Sequence, residues 1–502
     1  MTQEATPTSL PENNLLAIFE WLQLANGRSG SDDAEQLLRQ LLLLRDTPAP
    51  TRQRLKILDL IYKETRRVVF AELPKLLEIN LPVSRKIRQR VRITQDLLEA
   101  LTQEYFNTLA ELFDPQGTPA SSPPQATLIH ITQCLAWHIR ISHLAAAPNP
   151  AGLWQKLHSA FHSARRLGVH NTSSQNHSVS LEKVYAGTLL AAMAQPASFC
   201  ARELEFIVEY VESSLKPVEI METTPNDCNG IFWVDLERDF PAHALVRRPP
   251  PGDTPVLFFT GDSSAQQANA HLSALEQGAS AANLGLPAFA DSHAGQGVLR
   301  RLQSLWGNPT KRKFPRRRQS YRINLCSGLE QLWHLIREPE RASEISEWMV
   351  TNESPDGYSL MHMSGETTCV RVGDIVAVQA KDERAELKPL WHVCLVRWAL
   401  SENPEHIELG LQQLASHVIA AELARPQELD SKHIPALILP KMPPLRPHAG
   451  IVVHTGSLPE NANRLVLLIE KENLEIREVS PTELAEQTAS IEVFNVSPVE
   501  TP

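Results

Sequence analysis

At 502 residues the chain is too long for one ordinary core, and a norm of ~150 residues per domain suggests three or four. Hydrophobic residues make up 42%, enough for packed cores, and a net charge of −10 argues against a general nucleic-acid binder while leaving room for a local basic site. The six cysteines (Cys134, Cys200, Cys228, Cys326, Cys369 and Cys394) form no CxxC pair and read as buried or half-buried thiols, not as a disulfide framework or a zinc site. The first residues, MTQEATPTSLPENN, lack the basic-then-apolar pattern of a signal peptide. No stretch approaches the ~18 apolar residues of a membrane span, so a cytoplasmic location is expected, with any membrane association through a partner.

Residues 10–218 read as helix after helix. Val91, Leu98, Leu101, Tyr105, Leu109 and Leu112 recur at steps of three, four and seven and predict a long amphipathic helix. Trp154, Leu157, Phe161 and Ala164 repeat the pattern, with Gly168 as a C-terminal stop. Ser180 caps a helix expected to run to Ala194 and to end before Pro196. Leu204, Ile207, Val208, Val211 and Leu215 mark the next, closed by Pro217. The linker-like DPQGTPASSPPQ (114–125) can split this region into two bundles. The helical region is expected to be the output or partner-binding module, its protein partner unidentified.

Residues 225–308 read as a mixed α/β connecting region. IFWVDLE and PVLFFTG look like strands, and helical stretches follow near 263–278 and 295–306. From 310 to 415 short strands with turns between them predict a sandwich or small barrel. LPKMPPLRP (439–447) reads as a second linker, and 445–498 as a small β-rich C-terminal domain. No internal repeat is evident. The fold class is thus multidomain α+β, with an all-α N-terminal region ahead of a β-barrel and a β-rich tail.

One segment stands out chemically. KRKFPRRRQSYR (311–322) holds seven Lys or Arg in twelve residues and no acid, in a chain that is acidic overall. Pro315 disfavours helix before it, so the run enters the first strand as an extended arm. Arg318 and Arg322 stand in the order Arg-x-x-x-Arg. Thirty residues later NESPDGY supplies Asn352, Ser354 and Gly357 in the order Asn-x-Ser-x-x-Gly. Either motif alone is weak, and a solvated basic linker followed by an Asx-type turn is the bland reading. Together, in this order and on strand-like sequence, they resemble the PilZ family, whose signature is Arg-x-x-x-Arg followed by Asp/Asn-x-Ser-x-x-Gly on a six-stranded barrel. RVGDIVAV, WHVCLVRWAL and ELGLQQL resemble its later strands. The resemblance covers about one fifth of the chain. The stretch CSGLEQLWHLIREPERASEISEWMV between the motifs reads as partly helical, an insertion in a plain barrel.

The resemblance implies a PilZ-like β-barrel that binds cyclic di-GMP and relays it to the protein partner. Arg318 and Arg322 would clamp the ligand from the arm, Arg317 would support them, and Asn352, Ser354 and Gly357 would form the barrel half of the site. The chemistry agrees: a guanidinium fork pairs bidentately with phosphate or reads guanine O6 and N7, and Asn and Ser both donate and accept. Gly357 permits a positive φ or a close backbone approach.

Other signals carry less. His158 and His162 are four apart on a helix, without HExxH or an evident third ligand, and are expected to be partly exposed helix residues. His392 and Cys394 alternate on a strand as ordinary packed positions. No Walker loop, nucleophile elbow or acid–base pair is visible. The reading is a receptor, not an enzyme, with no metal and no cofactor beyond the ligand cyclic di-GMP. The alternative is a ligand-independent scaffold with a degenerate PilZ-like barrel. Direct nucleic-acid binding by 311–322 is not expected.

Overall fold

The computed structural model describes residues 10–25, 33–113, 124–172, 179–226, 230–252, 254–311, 314–338, 344–362, 370–381, 390–403, 406–424, 433–444, 446–458, 464–470 and 473–499. Most of the expected linker 114–125, together with Cys228 and Cys369, lies outside them.

The chain opens with eight helices: α1 (Leu10–Ala25), α2 (Asp33–Asp46), α3 (Thr51–Leu76), α4 (Arg85–Leu112), α5 (Gln125–Leu144), α6 (Leu153–Arg166), α7 (Leu181–Met193) and α8 (Ala201–Ser213). The periodic stripes become the buried faces. In α4, Val91, Leu98, Leu101, Tyr105 and Leu109 are buried, and in α6, Trp154, Leu157, Phe161 and Ala164 are. Each large apolar side chain so buried contributes roughly 1.5–3 kcal/mol. Ser180 caps α7 by accepting the backbone N–H of Lys183 at 3.2 Å.

The helices before and after 114–125 do not form separate bundles. The α4 residue Tyr105 shares a 3.1 Å hydrogen bond with Nδ1 of His130 on α5, and a single hydrophobic core runs from Ile18 to Trp306. That core also takes in the next segment, an antiparallel sheet of β1 (Ile231–Asp235), β2 (His243–Ala244) and β3 (Val256–Thr260) in the order β2-β1-β3, followed by α9 (Asp262–Glu276), the short α10 (Ala281–Leu284) and α11 (His293–Gly307). The indole of Trp306 on α11 donates to the carbonyl of Leu190 on α7 at 3.0 Å.

Two closed antiparallel barrels follow, and the chain is multidomain α+β as expected. The first contains β4 (Arg317–Ser327), α12 (Leu329–Arg337), β5 (Ile345–Ser354), β6 (Gly357–His362), β7 (Ile375–Ala380), β8 (His392–Asn403) and β9 (His406–Ala415), closed in the order β4-β5-β6-β9-β8-β7. The helical character read between the two motifs is α12. The second barrel contains β10 (Ile419–Ala424), β11 (Ile434–Leu439), β12 (Ala449–His454), β13 (Leu465–Glu470), β14 (Leu474–Gln487) and β15 (Ile491–Pro498), closed as β10-β11-β12-β15-β14-β13. Both barrels follow one strand order, a repetition the sequence does not display. The second begins at Ile419, upstream of the boundary expected near 445, and LPKMPPLRP is no linker between domains: it joins β11 to β12 within this barrel.

Helix α12 fastens the barrels together. Leu329, Leu332, Trp333 and Leu335 pack against Val393 and Leu395 of the first and Leu437, Val452 and Val493 of the second, and the indole of Trp333 donates to the Ala421 carbonyl at 2.8 Å. The first barrel is also docked on the helices. Leu81 and Val83, between α3 and α4, join its core, and Arg88 on α4 donates to the carbonyls of Ser401 and Glu402 at 3.1 and 2.9 Å. Among the described residues no helix is long and apolar enough to cross a membrane.

Candidate ligand-binding cleft

A cleft of about 550 Å³ opens between the helical half and the first barrel. Its helical wall is built from Gln195 and Ser198, in the turn after α7, and from Arg301, Ser304 and Leu305 of α11. Its barrel wall is built from Arg316, from the β5–β6 hairpin Asn352–Tyr358, from Arg397 and Trp398 on β8, and from Gly410, Leu411 and Gln412 on β9.

The hairpin carries the second sequence motif. Ser354 faces Gly357 across the two-residue turn Pro355–Asp356, and the Ser354 hydroxyl donates to Asp356 Oδ1 at 2.6 Å or to the Gly357 carbonyl at 3.2 Å. The turn is held on β9, where the Gln413 N–H donates to the Asp356 carbonyl at 2.8 Å. Gly357 is required by the fold itself. A Cβ there would stand 1.9 Å from the carbonyl oxygen of Leu411, so the backbone it approaches is β9. Gly410 has a similar reason: a Cβ would meet the Trp398 indole nitrogen at 1.8 Å, so the absence of a side chain lets the ring lie over β9.

Both motifs adjoin bulges. An extra β4 residue separates the pair Arg318–Asn352 from Tyr321–Val350, and an extra β5 residue, Thr351, separates Val350–Leu360 from Asn352–Ser359. Bulges re-aim side chains at the ends of barrels. Here the first interrupts strand alternation between the two motif arginines. Arg318 stands opposite Asn352 at the cleft end, with Arg317 opposite Glu353. Arg322 stands opposite Met349 and is bound to Glu347 at 2.9 Å. That carboxylate also takes Lys381 at 2.7 Å, which together with Arg322 holds it below the usual range.

The structure therefore gathers Asn352, Ser354 and Gly357 at one cleft with Arg316. It leaves Arg317 and Arg318 exposed on β4 beside it, and it sets Arg322 apart in a surface ion pair.

The arginines from outside the motifs are the part that sequence reading missed. Arg397 donates Nε to Gln412 Oε1 at 2.5 Å and both Nη groups to Glu486 on β14, at 2.8 and 2.6 Å. Arg301 donates to the carbonyl of Ser198, stacks 3.7 Å over the ring of Phe199, and lies 3.9 Å from Glu203. Burial lowers the pKa of Arg301, Glu203 offsets part of this, and the nearby Arg397 lowers it again. Gln195 adopts φ 59°, in the left-handed region, directly before Pro196. Such strain in a non-glycine residue costs on the order of 1–3 kcal/mol and clusters at ligand sites. Among the cleft carboxylates, Asp356 is engaged by Ser354, and Glu353 accepts the Tyr321 hydroxyl at 3.2 Å; burial, and then Glu353, raises that phenol to about 12.

The set-aside histidines differ from each other. His158 is not the partly exposed residue expected. It is fully buried, with Nδ1 on the Tyr185 hydroxyl at 2.9 Å and Nε2 on the Phe240 carbonyl at 2.8 Å, and it joins α6 to α7 and to the segment before β2. His162 is exposed. Among the described residues no three His, Cys, Asp or Glu converge as metal ligands. Cys134, Cys326 and Cys394 are buried free thiols, and burial pushes Cys326 up to about 11.

Two comparisons bear on this cleft. The family described as the N-terminal domain of the cyclic-di-GMP receptor FimW matches residues 16–224, which are the helical half. The cyclic-di-GMP receptor FimW of Pseudomonas aeruginosa is 20% identical over 521 aligned positions, spanning 86% of this chain and 82% of that protein. The similarity to this receptor thus extends beyond the helices and into the barrels.

Proposed function

We propose that the chain is a cyclic di-GMP receptor, not an enzyme, that its first barrel is PilZ-like, and that the ligand binds in the cleft between that barrel and the helical half. The observation that carries this reading is the meeting of Asn352, Ser354 and Gly357 with arginines from three separate segments at one cavity. A volume of about 550 Å³ falls in the ~300–1,000 Å³ range of small-ligand sites. Arg316, Arg317 and Arg318 bring forked donors for phosphate oxygens or a guanine edge. The Asn352 amide has no hydrogen-bond partner among the described residues, and it can donate and accept at a base edge. Arg322 joins the clamp by exchanging Glu347 for the ligand. That exchange is weakly opposed, because surface ion pairs contribute little. Similarity to a cyclic-di-GMP receptor along most of the chain supports the same ligand.

The relay follows from where the ligand would sit. Bound between two bodies, it favours the arrangement in which both walls contact it, and the helical half passes that preference to a protein partner in the cytoplasm. Calorimetric titration with cyclic di-GMP, with GTP and cyclic di-AMP as controls, tests the reading. Saturable binding to cyclic di-GMP alone is expected, weakened about 10- to 100-fold by Arg318→Ala and by Asn352→Ala in variants that keep their fold, the scale of a lost charge-assisted hydrogen bond. A folded wild-type protein that takes up no cyclic di-GMP would refute it.

A further inference from the structure

The helical wall of the cleft holds an arginine whose hydrogen-bond donors are only partly used. Arg301 projects from α11 with a side chain only 20% exposed. One N–H goes to the Ser198 carbonyl. Its carboxylate neighbour, Glu203, is 3.9 Å away, outside hydrogen-bond reach, and is itself engaged by the backbone N–H of Cys200 at 2.9 Å. The Phe199 ring at 3.7 Å fixes the plane of the guanidinium. Five N–H donors in a rigid fork leave several for a further acceptor. Across the cleft, Arg397 is oriented by Gln412 and by both oxygens of Glu486, a pairing that still leaves an outer N–H on each Nη. The two guanidiniums face each other across the cavity, their mutual repulsion opposed by Glu203 and Glu486.

We infer that Arg301 and Arg397 form a second phosphate clamp, so that the helical half itself supplies a ligand contact and the bound dianion bridges the two walls. This rests on the reading of the cleft as a cyclic di-GMP site and adds to it a recognition element that lies outside both sequence motifs. Glu203 and Glu486 already offset the charges of the two arginines, so what a phosphate gains here is the N–H groups those carboxylates leave unused, from both walls at once. The second barrel takes part through Glu486, which fixes the aim of Arg397 without contacting the ligand.

The test is titration of the full chain with cyclic di-GMP at several salt concentrations. Arg301→Gln removes the charge and keeps a donor for Ser198; Arg301→Lys keeps the charge and loses the fork. Affinity is expected to fall at least tenfold in Arg301→Gln and less in Arg301→Lys. The salt dependence of binding is expected to flatten in the Gln variant alone, a change that a merely structural role would not produce. Arg397→Gln, on the opposite wall, should behave as Arg301→Gln does, and it decides the matter if loss of the Arg301 charge unfolds the helical half. Wild-type affinity and salt dependence in both Gln variants, with binding still weakened in Asn352→Ala, would overturn the clamp and leave the receptor reading intact. Absence of binding by the wild type would overturn both.

Discussion

The two barrels share one strand order and differ in what surrounds it. In the first barrel the basic run 311–322 leads into and forms the start of the first strand, and the second and third strands meet in the two-residue turn Pro355–Asp356. The second barrel has room for neither feature. Its first strand starts at Ile419, three connecting residues after β9 ends at Ala415, so no arm can precede it. Its corresponding strands, β11 and β12, are joined by a proline-rich connection in place of a tight polar turn. The first barrel faces the helical half across a cleft; the second is fixed to the first by α12 and by Ser490 and Thr488, which donate to Asp374 Oδ1 and to the Gly373 carbonyl at 2.6 and 2.8 Å. A barrel supplies a rigid frame, and binding belongs to the turns and arms attached to it.

Substitutions at four places test that contrast. The largest effect is expected at the joint. Trp333→Ala should cost about 3–5 kcal/mol, the scale for a buried tryptophan, and calorimetry should show the barrels unfolding in separate steps; one unchanged transition would remove α12 from its role as fastener.

Acid should single out the helical half. His138 on α5 is buried, its Nε2 has no hydrogen-bond partner, and burial lowers its pKa to about 4. The unfolded chain binds this proton more readily below pH ~6.5, so stability is whole above that pH and drains as pH falls toward 4. A loss of about 2–3 kcal/mol over this window is expected from a lowering of this size, followed by denaturant titration at several pH values. His138→Phe should make the profile shallower without removing its slope, because burial also lowers His143 on α5 to about 4; an unaltered profile would locate the acid sensitivity elsewhere.

Gly357→Ala is expected to cost about 1–3 kcal/mol through the clash with β9, as overpacking does, and to lower the thermal midpoint. An unshifted midpoint would show that β9 yields easily at Leu411. The smallest effect belongs to the second barrel: Lys441→Ala, in the β11–β12 connection, should change cyclic di-GMP affinity less than twofold by calorimetry. A larger loss would give the second barrel a share in binding.

Much of this was legible in the sequence. The helical stripes of α4, α6 and α8 were, because a buried face needs apolar residues at helical spacing. So was the hairpin at 352–358, because a tight turn with a glycine at a close backbone approach leaves few choices of residue. The second barrel's extent was not: prolines in 439–447 read as a linker, although between β11 and β12 they interrupt no ladder. The repeated strand order was hidden as well, since a shared topology asks only for alternating apolar positions. The far wall of the cleft left no local signal. Arg301 and Arg397 meet Asn352 only through folding, and each alone looks like a surface arginine. Burial of His158 was misread because its partners, Tyr185 and the Phe240 carbonyl, are distant in sequence.

We propose one place for the ligand, at the first barrel and closed by the helical half. Hydrogen–deuterium exchange with and without saturating cyclic di-GMP tests it most directly. Protection is expected together in 195–198, 301–305, 316–318, 352–358 and 410–412, with 434–454 of the second barrel unchanged. Protection confined to the second barrel, or to helical segments away from 195–198 and 301–305, would contradict the account.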